Sequence, residues 1–179
     1  MAIETYQGIT PTIDSSAYVA QQALVIGDVR IGRHSSVWPM SVVRGDVNTI
    51  TIGDHTNIQD NSVLHVTHAG AENPLGNHEG FALTIGSNIT VGHQCILHGC
   101  TIHDACLIGM GSLIMDGVVV ESETIVGAGS LLSPNATLES GYLWYGRPAR
   151  RVRKLSAKEI ESLTYSAQHY VKLKNTYMV

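Results

Sequence analysis

Aliphatic residues recur at every sixth position through most of this chain, and no other feature restricts its fold so strongly. Reading from Ile96 gives Ile102, Ile108, Ile114, Val120, Val126, Leu132, Leu138 and Trp144. Four residues beyond each, small side chains dominate: Cys100, Cys106, Ser112, Val118, Thr124, Ser130 and Ala136. Earlier segments keep the spacing in a shifted phase, with Val25, Ile31, Val37 and Val43, then Ile52, Ile58 and Leu64, then Ile85, Val91 and Leu97. An α-helix of period 3.6 cannot generate a strict six, whereas short strands joined by tight turns can. The pattern predicts an all-β parallel β-helix whose coils are triangular, three hexads to a turn. Composition agrees: 18 glycines, a single Phe, and an apolar content carried by Val, Ile and Ala suit strands and turns better than a packed globule.

Two interruptions need absorbing. Residues 49–51 add three between the hexads at Val43 and Ile52, and residues 70–84 add fifteen, rich in Gly, Asn and Pro like a protruding loop. A slip of one residue separates the phases of Ile96 and Leu97. After Gly146-Arg147-Pro148-Ala149 the hexads stop. Ser156 and Glu159 form a capping-box pair, with Leu155 and Ile160 placed as a hydrophobic staple. Ile160, Leu163, Ala167, Tyr170 and Val171 then make one face of a terminal helix that covers the prism. The expected division is a β-helix over 1–150, with the excursion at 70–84, and a helical segment over 151–179.

Net charge is −4, which offers no footprint for nucleic acid. No stretch approaches the ~20 apolar residues of a membrane span. The N-terminus has no basic region leading into an apolar one, so the expected location is cytoplasmic. Cys95, Cys100 and Cys106 take the small inward positions of their hexads and read as buried thiols rather than a disulfide framework or metal ligands.

The register also places the polar residues. With faces begun by Ile31, Ile52 and Ile85 (A), by Val37, Ile58 and Val91 (B), and by Val43, Leu64 and Leu97 (C), the residues just after the face C starts are Arg44, His65 and His98. They stack on adjacent coils, with strands ~4.8 Å apart. Face B carries Gln59 one place after its start, and Asp60 and His93 two places after. A zinc ion with nitrogens ~2.0–2.1 Å away cannot join His93 to His65 and His98 across one prism. It can if face B of one chain packs on face C of another, which with three-fold closure gives a trimer and sets Arg44 toward the neighbour's Asp60. His34, His55, His78 and His103 are expected to be solvated side chains without a site role.

At these residues the sequence resembles the γ-class carbonic anhydrase family, in its bacterial short-chain branch. The resemblance rests on Arg44-Gly45-Asp46, Asn57-Ile58-Gln59-Asp60, Leu64-His65-Val66-Thr67-His68, Val91-Gly92-His93 and Ile96-Leu97-His98-Gly99. It extends over essentially the whole chain. It implies a left-handed β-helix assembled as a homotrimer, with zinc on His65, His93 and His98 and CO2 hydrated reversibly to bicarbonate by hydroxide at the trimer interfaces. Gln59 matches the side chain that bonds the metal's water, and Arg44, Asp46 and Asp60 match the interface network. Tyr170 matches a tyrosine near the metal, although His169 stands where many relatives have asparagine. Iron or cobalt would suit imidazoles equally.

The sequence departs from the archetypal active members at Val47, where they carry glutamate, and in the excursion, whose titratable residues are His68, Glu72, His78 and Glu79. His68 fits a proton shuttle and equally an inward structural position. Three other activities share the prism or the site: an acyl-CoA-dependent acyltransferase, a thioesterase, and a metal-stabilised scaffold with little catalysis. Aligned histidines are not required by the acyltransferase.

Overall fold

A computed structural model of the chain describes residues 2–70 and 78–178. The hexads become strands of two or three residues for the most part, each contributing one aliphatic side chain to the axis of a parallel β-solenoid. Along face C the inward partners run Val25, Val43, Leu64, Leu97, Ile114 and Leu132. Along face A they run Ile31, Ile52, Ile85, Ile102, Val120 and Leu138. Face B stacks Val19, Val37, Ile58, Val91, Ile108, Val126 and Trp144. These ladders between coils are all parallel, so the expected face assignment holds along the three rows.

The corner between faces A and B repeats one backbone device. His34, His55, Asn88, Ala105 and Glu123 all sit in the left-handed region, with φ between +55° and +57°. An L residue there costs roughly 1–2 kcal/mol, so the ladder bonds on either side must hold it in place. Three of the four histidines expected to lack a site role are surface groups at corners or edges. His34 stacks on His55 with centroids 5.2 Å apart, and His103 lies 3.9 Å from Glu121.

Three details differ from expectation. Leu97 is fully buried and Ile96 is 45% exposed, so the six-residue series belongs to Leu97, and the step from Leu97 to Ile102 is only five. The deletion falls at Gly99, whose φ of +52° tightens the corner after His98. The three-residue insertion lies within 46–49 rather than 49–51, because Gly45 pairs with Gly27 while Ile50, Thr51 and Ile52 are already back in register. The long excursion leaves at Thr67 and rejoins at Phe81, which pair with each other, and Leu83–Ile85 is strand again. Of the titratable residues expected there, Glu72 lies outside the described residues.

The expected boundary at 150 and 151 also falls inside a strand. Tyr142–Gly146 and Ala149–Lys154 form an antiparallel hairpin that extends the face B sheet. Its second strand is too basic to show an aliphatic period, which is why it reads as a break. The helix Ala157–Asn175 follows, with both bonds of the capping box made by Ser156 and Glu159. It packs on face B through buried Leu163 and Ala167, touching the strands Ser36–Val37, Asn57–Ile58 and Thr90–Val91. No helix of the described residues is long and apolar enough to cross a membrane.

The three thiols are buried and free. Burial pushes Cys95 up to about 11 and Cys106 up to about 12, so neither is a thiolate near neutral pH. Truncation of the axial row should be costly in proportion to the void it leaves. Leu97→Ala is expected to lower the unfolding free energy by about 2–5 kcal/mol and Ser156→Ala by about 1 kcal/mol, measured by urea denaturation.

Candidate metal centre

His65 and His98 are directly paired residues on adjacent strands of face C, although 33 positions separate them in the chain. Their rings point the same way because Leu64 and Leu97, one residue earlier, both point into the core. His65 Nδ1 and His98 Nε2 approach to 3.0 Å. Each ring's other nitrogen has a carboxylate. His65 Nε2 lies 3.0 Å from Asp46 Oδ1, and His98 Nδ1 lies 2.7 Å from Asp116 Oδ1.

This arrangement sets the tautomers. Ionised Asp46 and Asp116 only accept, so each takes an N–H from its histidine. In neutral rings the nitrogens facing each other are then both lone pairs. Two lone pairs at 3.0 Å repel unless a cation or a proton lies between them. Burial lowers the His65 pKa, outweighing the bond to Asp46, and so disfavours the imidazolium. For a tetrahedral zinc with bonds of ~2.0–2.1 Å, two ligand nitrogens stand about 3.3 Å apart, so a few tenths of an ångström would admit the ion.

Asp46 is itself anchored. Burial opposes its charge, but the bonds from His65 and Arg44 win and hold the carboxyl below its usual range. Arg44 therefore bonds within its own chain here, while Asp60 Oδ2 lies 2.9 Å from His93 Nδ1. All three candidate histidines share one pattern, a carboxylate at one ring nitrogen and the other turned away from it. Among the described residues of one chain, no three His, Cys, Asp or Glu side chains could together hold a metal ion.

Asp116 was not expected from the sequence. It lies 18 residues beyond His98, one coil further along, two places after inward Ile114. Thr67 Oγ1 also donates to it, at 3.1 Å. Its reach depends on Gly99, where an added Cβ would collide with the Asp116 carboxylate and with Phe81. The tight corner and the missing side chain together bring carboxylate and imidazole into contact.

The family model described as "Bacterial transferase hexapeptide (six repeats)" matches residues 99–134. Protein YrdA of Escherichia coli is 49% identical over 98% of this chain and 94% of its own length. A carbonic anhydrase of Geobacillus kaustophilus is 43% identical over 94% of this chain and 87% of its own. Gamma carbonic anhydrase 1 of Arabidopsis mitochondria is 46% identical over 91% of this chain, which spans 58% of that protein. The chain belongs to the γ-class carbonic anhydrase family. A crystal structure of a hexapeptide transferase family protein from Anaplasma phagocytophilum superposes with a TM-score of 0.89, at 41% identity and 98% coverage of both chains.

The other positions singled out in the sequence are distributed as follows. Gln59 is buried, and its Nε2 donates to Asn57 Oδ1 at 3.1 Å. Asn57 is tied in turn to Thr90, and Thr90 to Ser166 of the helix, at 3.1 and 3.0 Å. Tyr170 stands on the same helix, half-buried and edge-on to Trp38 at 5.6 Å. Burial raises its phenol, and the Asp60 charge adds to the shift. His68 is exposed, which removes the inward structural reading: the chain has already left the prism at Thr67. Val47 is 43% exposed beside Asp46. His169 is exposed and faces Tyr165 rather than the His65–His98 pair.

Gly99→Ala is expected to destabilise the fold by at least about 1–2 kcal/mol and to separate Asp116 from His98. The second effect is checked by NMR, as loss of the downfield signal expected of a His98 Nδ1–H bonded to Asp116.

Proposed function

We propose that this protein is a zinc-dependent carbonic anhydrase that converts CO2 and water reversibly to bicarbonate and a proton. It would work as a homotrimer in the cytoplasm, where three buried free thiols suit a reducing compartment. The observation that carries the reading is the His65–His98 pair, whose ring nitrogens face each other at 3.0 Å while a carboxylate stands at the other nitrogen of each ring. The full ligand set adds His93 of a neighbouring chain from the exposed corner beyond face B, because the terminal helix covers that face itself and the expected packing of face B on face C is narrowed to this corner. Iron or cobalt would fit the same imidazoles.

A zinc ion on three neutral imidazoles supplies a Lewis acid that makes water acidic near neutral pH. The chain's own residues do the rest. Asp46, Asp116 and Asp60 each hold an Nδ1–H or Nε2–H, which fixes the imidazole orientation and strengthens the opposite nitrogen as a donor. Gln59, with its amide nitrogen engaged by Asn57, has its Oε1 to orient the reacting water. Tyr170 stays protonated at neutral pH and offers a phenolic O–H beside Asp60. In the docked trimer Arg44 would exchange part of its bond to Asp46 for the neighbour's Asp60.

The product proton has to leave. His68 is exposed at the start of the excursion, three residues beyond His65, and its imidazole can both accept and donate a proton. Val47 cannot share that task, since its side chain holds no proton. The acyltransferase alternative draws support from the hexapeptide match, but that match covers the repeat that both activities use and none of the three ligand histidines.

Stopped-flow CO2 hydration on protein of measured metal content tests the assignment. The expected result is about one zinc per chain, activity abolished in His93→Ala, and metal affinity 10–100-fold weaker in Asp116→Asn, as removal of such a hydrogen-bonding carboxylate generally gives. Full zinc occupancy with hydration no faster than buffer would overturn it.

A further inference from the structure

The whole-chain charge of −4 conceals an extreme asymmetry. Six of the 11 lysines and arginines lie within residues 147–158, a stretch without a single acid. That leaves five cations against all fifteen acids in the rest of the chain, a balance of −10. From 45 to 146 there is no Lys or Arg at all.

The fold concentrates this charge at one end of the prism. Tyr142–Gly146 is the last strand of the parallel face B ladder, and Ala149–Lys154 pairs beyond it as the edge strand. Arg147, Arg150, Arg151, Arg153, Lys154 and Lys158 are all exposed. Two have carboxylate partners, Arg151 with Glu139 and Arg153 with Glu159. Among the described residues the other four have none: Arg147 donates to Gly129 O, Arg150 to Ala149 O, and Lys154 lies over the Tyr142 ring. Apolar side chains stand among them. Tyr145 is 57% exposed, and Val152 is 56% exposed at the bulge, where the pairing skips from Leu143–Arg153 to Trp144–Arg151.

Positive charge on an edge strand discourages strand-to-strand aggregation, and one or two cations would suffice for that. Six cations, four of them uncompensated, together with an exposed Tyr and Val, exceed that need. We propose that this hairpin end is a docking surface for an anionic lipid bilayer, holding the prism end-on at a membrane surface. Each Lys or Arg near such a surface gains from the negative potential, and a tyrosine suits the headgroup layer. The acidic body selects between anionic partners. A planar surface meets the hairpin end, where the six cations outnumber their two paired acids Glu139 and Glu159, whereas an extended nucleic acid lying along the prism would be repelled by the acids of its coils, which hold no Lys or Arg from 45 to 146.

Vesicle co-sedimentation of the full-length protein tests this, with phosphatidylcholine vesicles containing about a third phosphatidylglycerol set against pure phosphatidylcholine. Binding to the anionic vesicles alone is expected, falling about a hundredfold in a variant carrying Arg150→Gln, Lys154→Gln and Lys158→Gln, and strongly weakened when salt is raised from about 0.1 M to 1 M. None of these residues touches the histidine pair, so metal content and CO2 hydration should be unchanged. Failure to bind anionic vesicles, equal binding by the triple variant, or tighter binding to a DNA duplex at equal phosphate would each overturn the proposal. Equal melting temperatures for variant and parent exclude misfolding as the cause of a loss.

Discussion

Parallel pairing of Val63–His65 with Ile96–His98 determines what this molecule can do. Strands in one ladder lie ~4.8 Å apart, and residues in register project the same way. Two imidazoles therefore face each other only because Leu64 and Leu97 are both pulled to the axis. A slip of one residue would send Leu97 outward and His98 into the core. The hydrophobic row and the histidine pair are thus one constraint seen from two sides.

The sites of irregularity lie where the chemistry is. The insertion after Gly45 lifts Asp46 and lets its carboxylate meet His65 from outside the prism. The excursion that starts at Thr67 leaves its hydroxyl on Asp116, and Asn48 from the insertion donates to Thr67 O at 3.0 Å, tying the two departures together. The one-residue deletion at Gly99 brings Asp116 under His98. An uninterrupted solenoid would have presented two bare imidazoles, without the carboxylates that orient them.

Repeat, faces and histidine pair were legible in the sequence because a six-residue period places side chains by counting alone. Counting fails where the count changes. The six-residue series runs backward from Ile102 through Ile96, and only the tight corner at Gly99 hands the axial place to Leu97. Asp116 escaped notice since a hexad carries nothing local to mark which acid will meet a histidine one coil away. The basic strand after Pro148 reads as part of the terminal helical segment because it carries no aliphatic period, and Lys174, buried on the helix with its Nζ on Asn175 Oδ1, lies beyond the expected apolar stripe. For Ile96 and Asp116 the deciding partners are distant in sequence.

The central claim is that one metal is shared between chains, His65 and His98 from one and His93 from the next. Metal content of subunits mixed by co-refolding tests it most directly. His93→Ala and His65→Ala chains should each bind almost no zinc alone. Random trimers of an equal mixture should regain about a quarter of the wild-type metal, because that fraction of interfaces unites an intact face B with an intact face C. No recovery on mixing, with both variants folded and trimeric, would contradict a shared site.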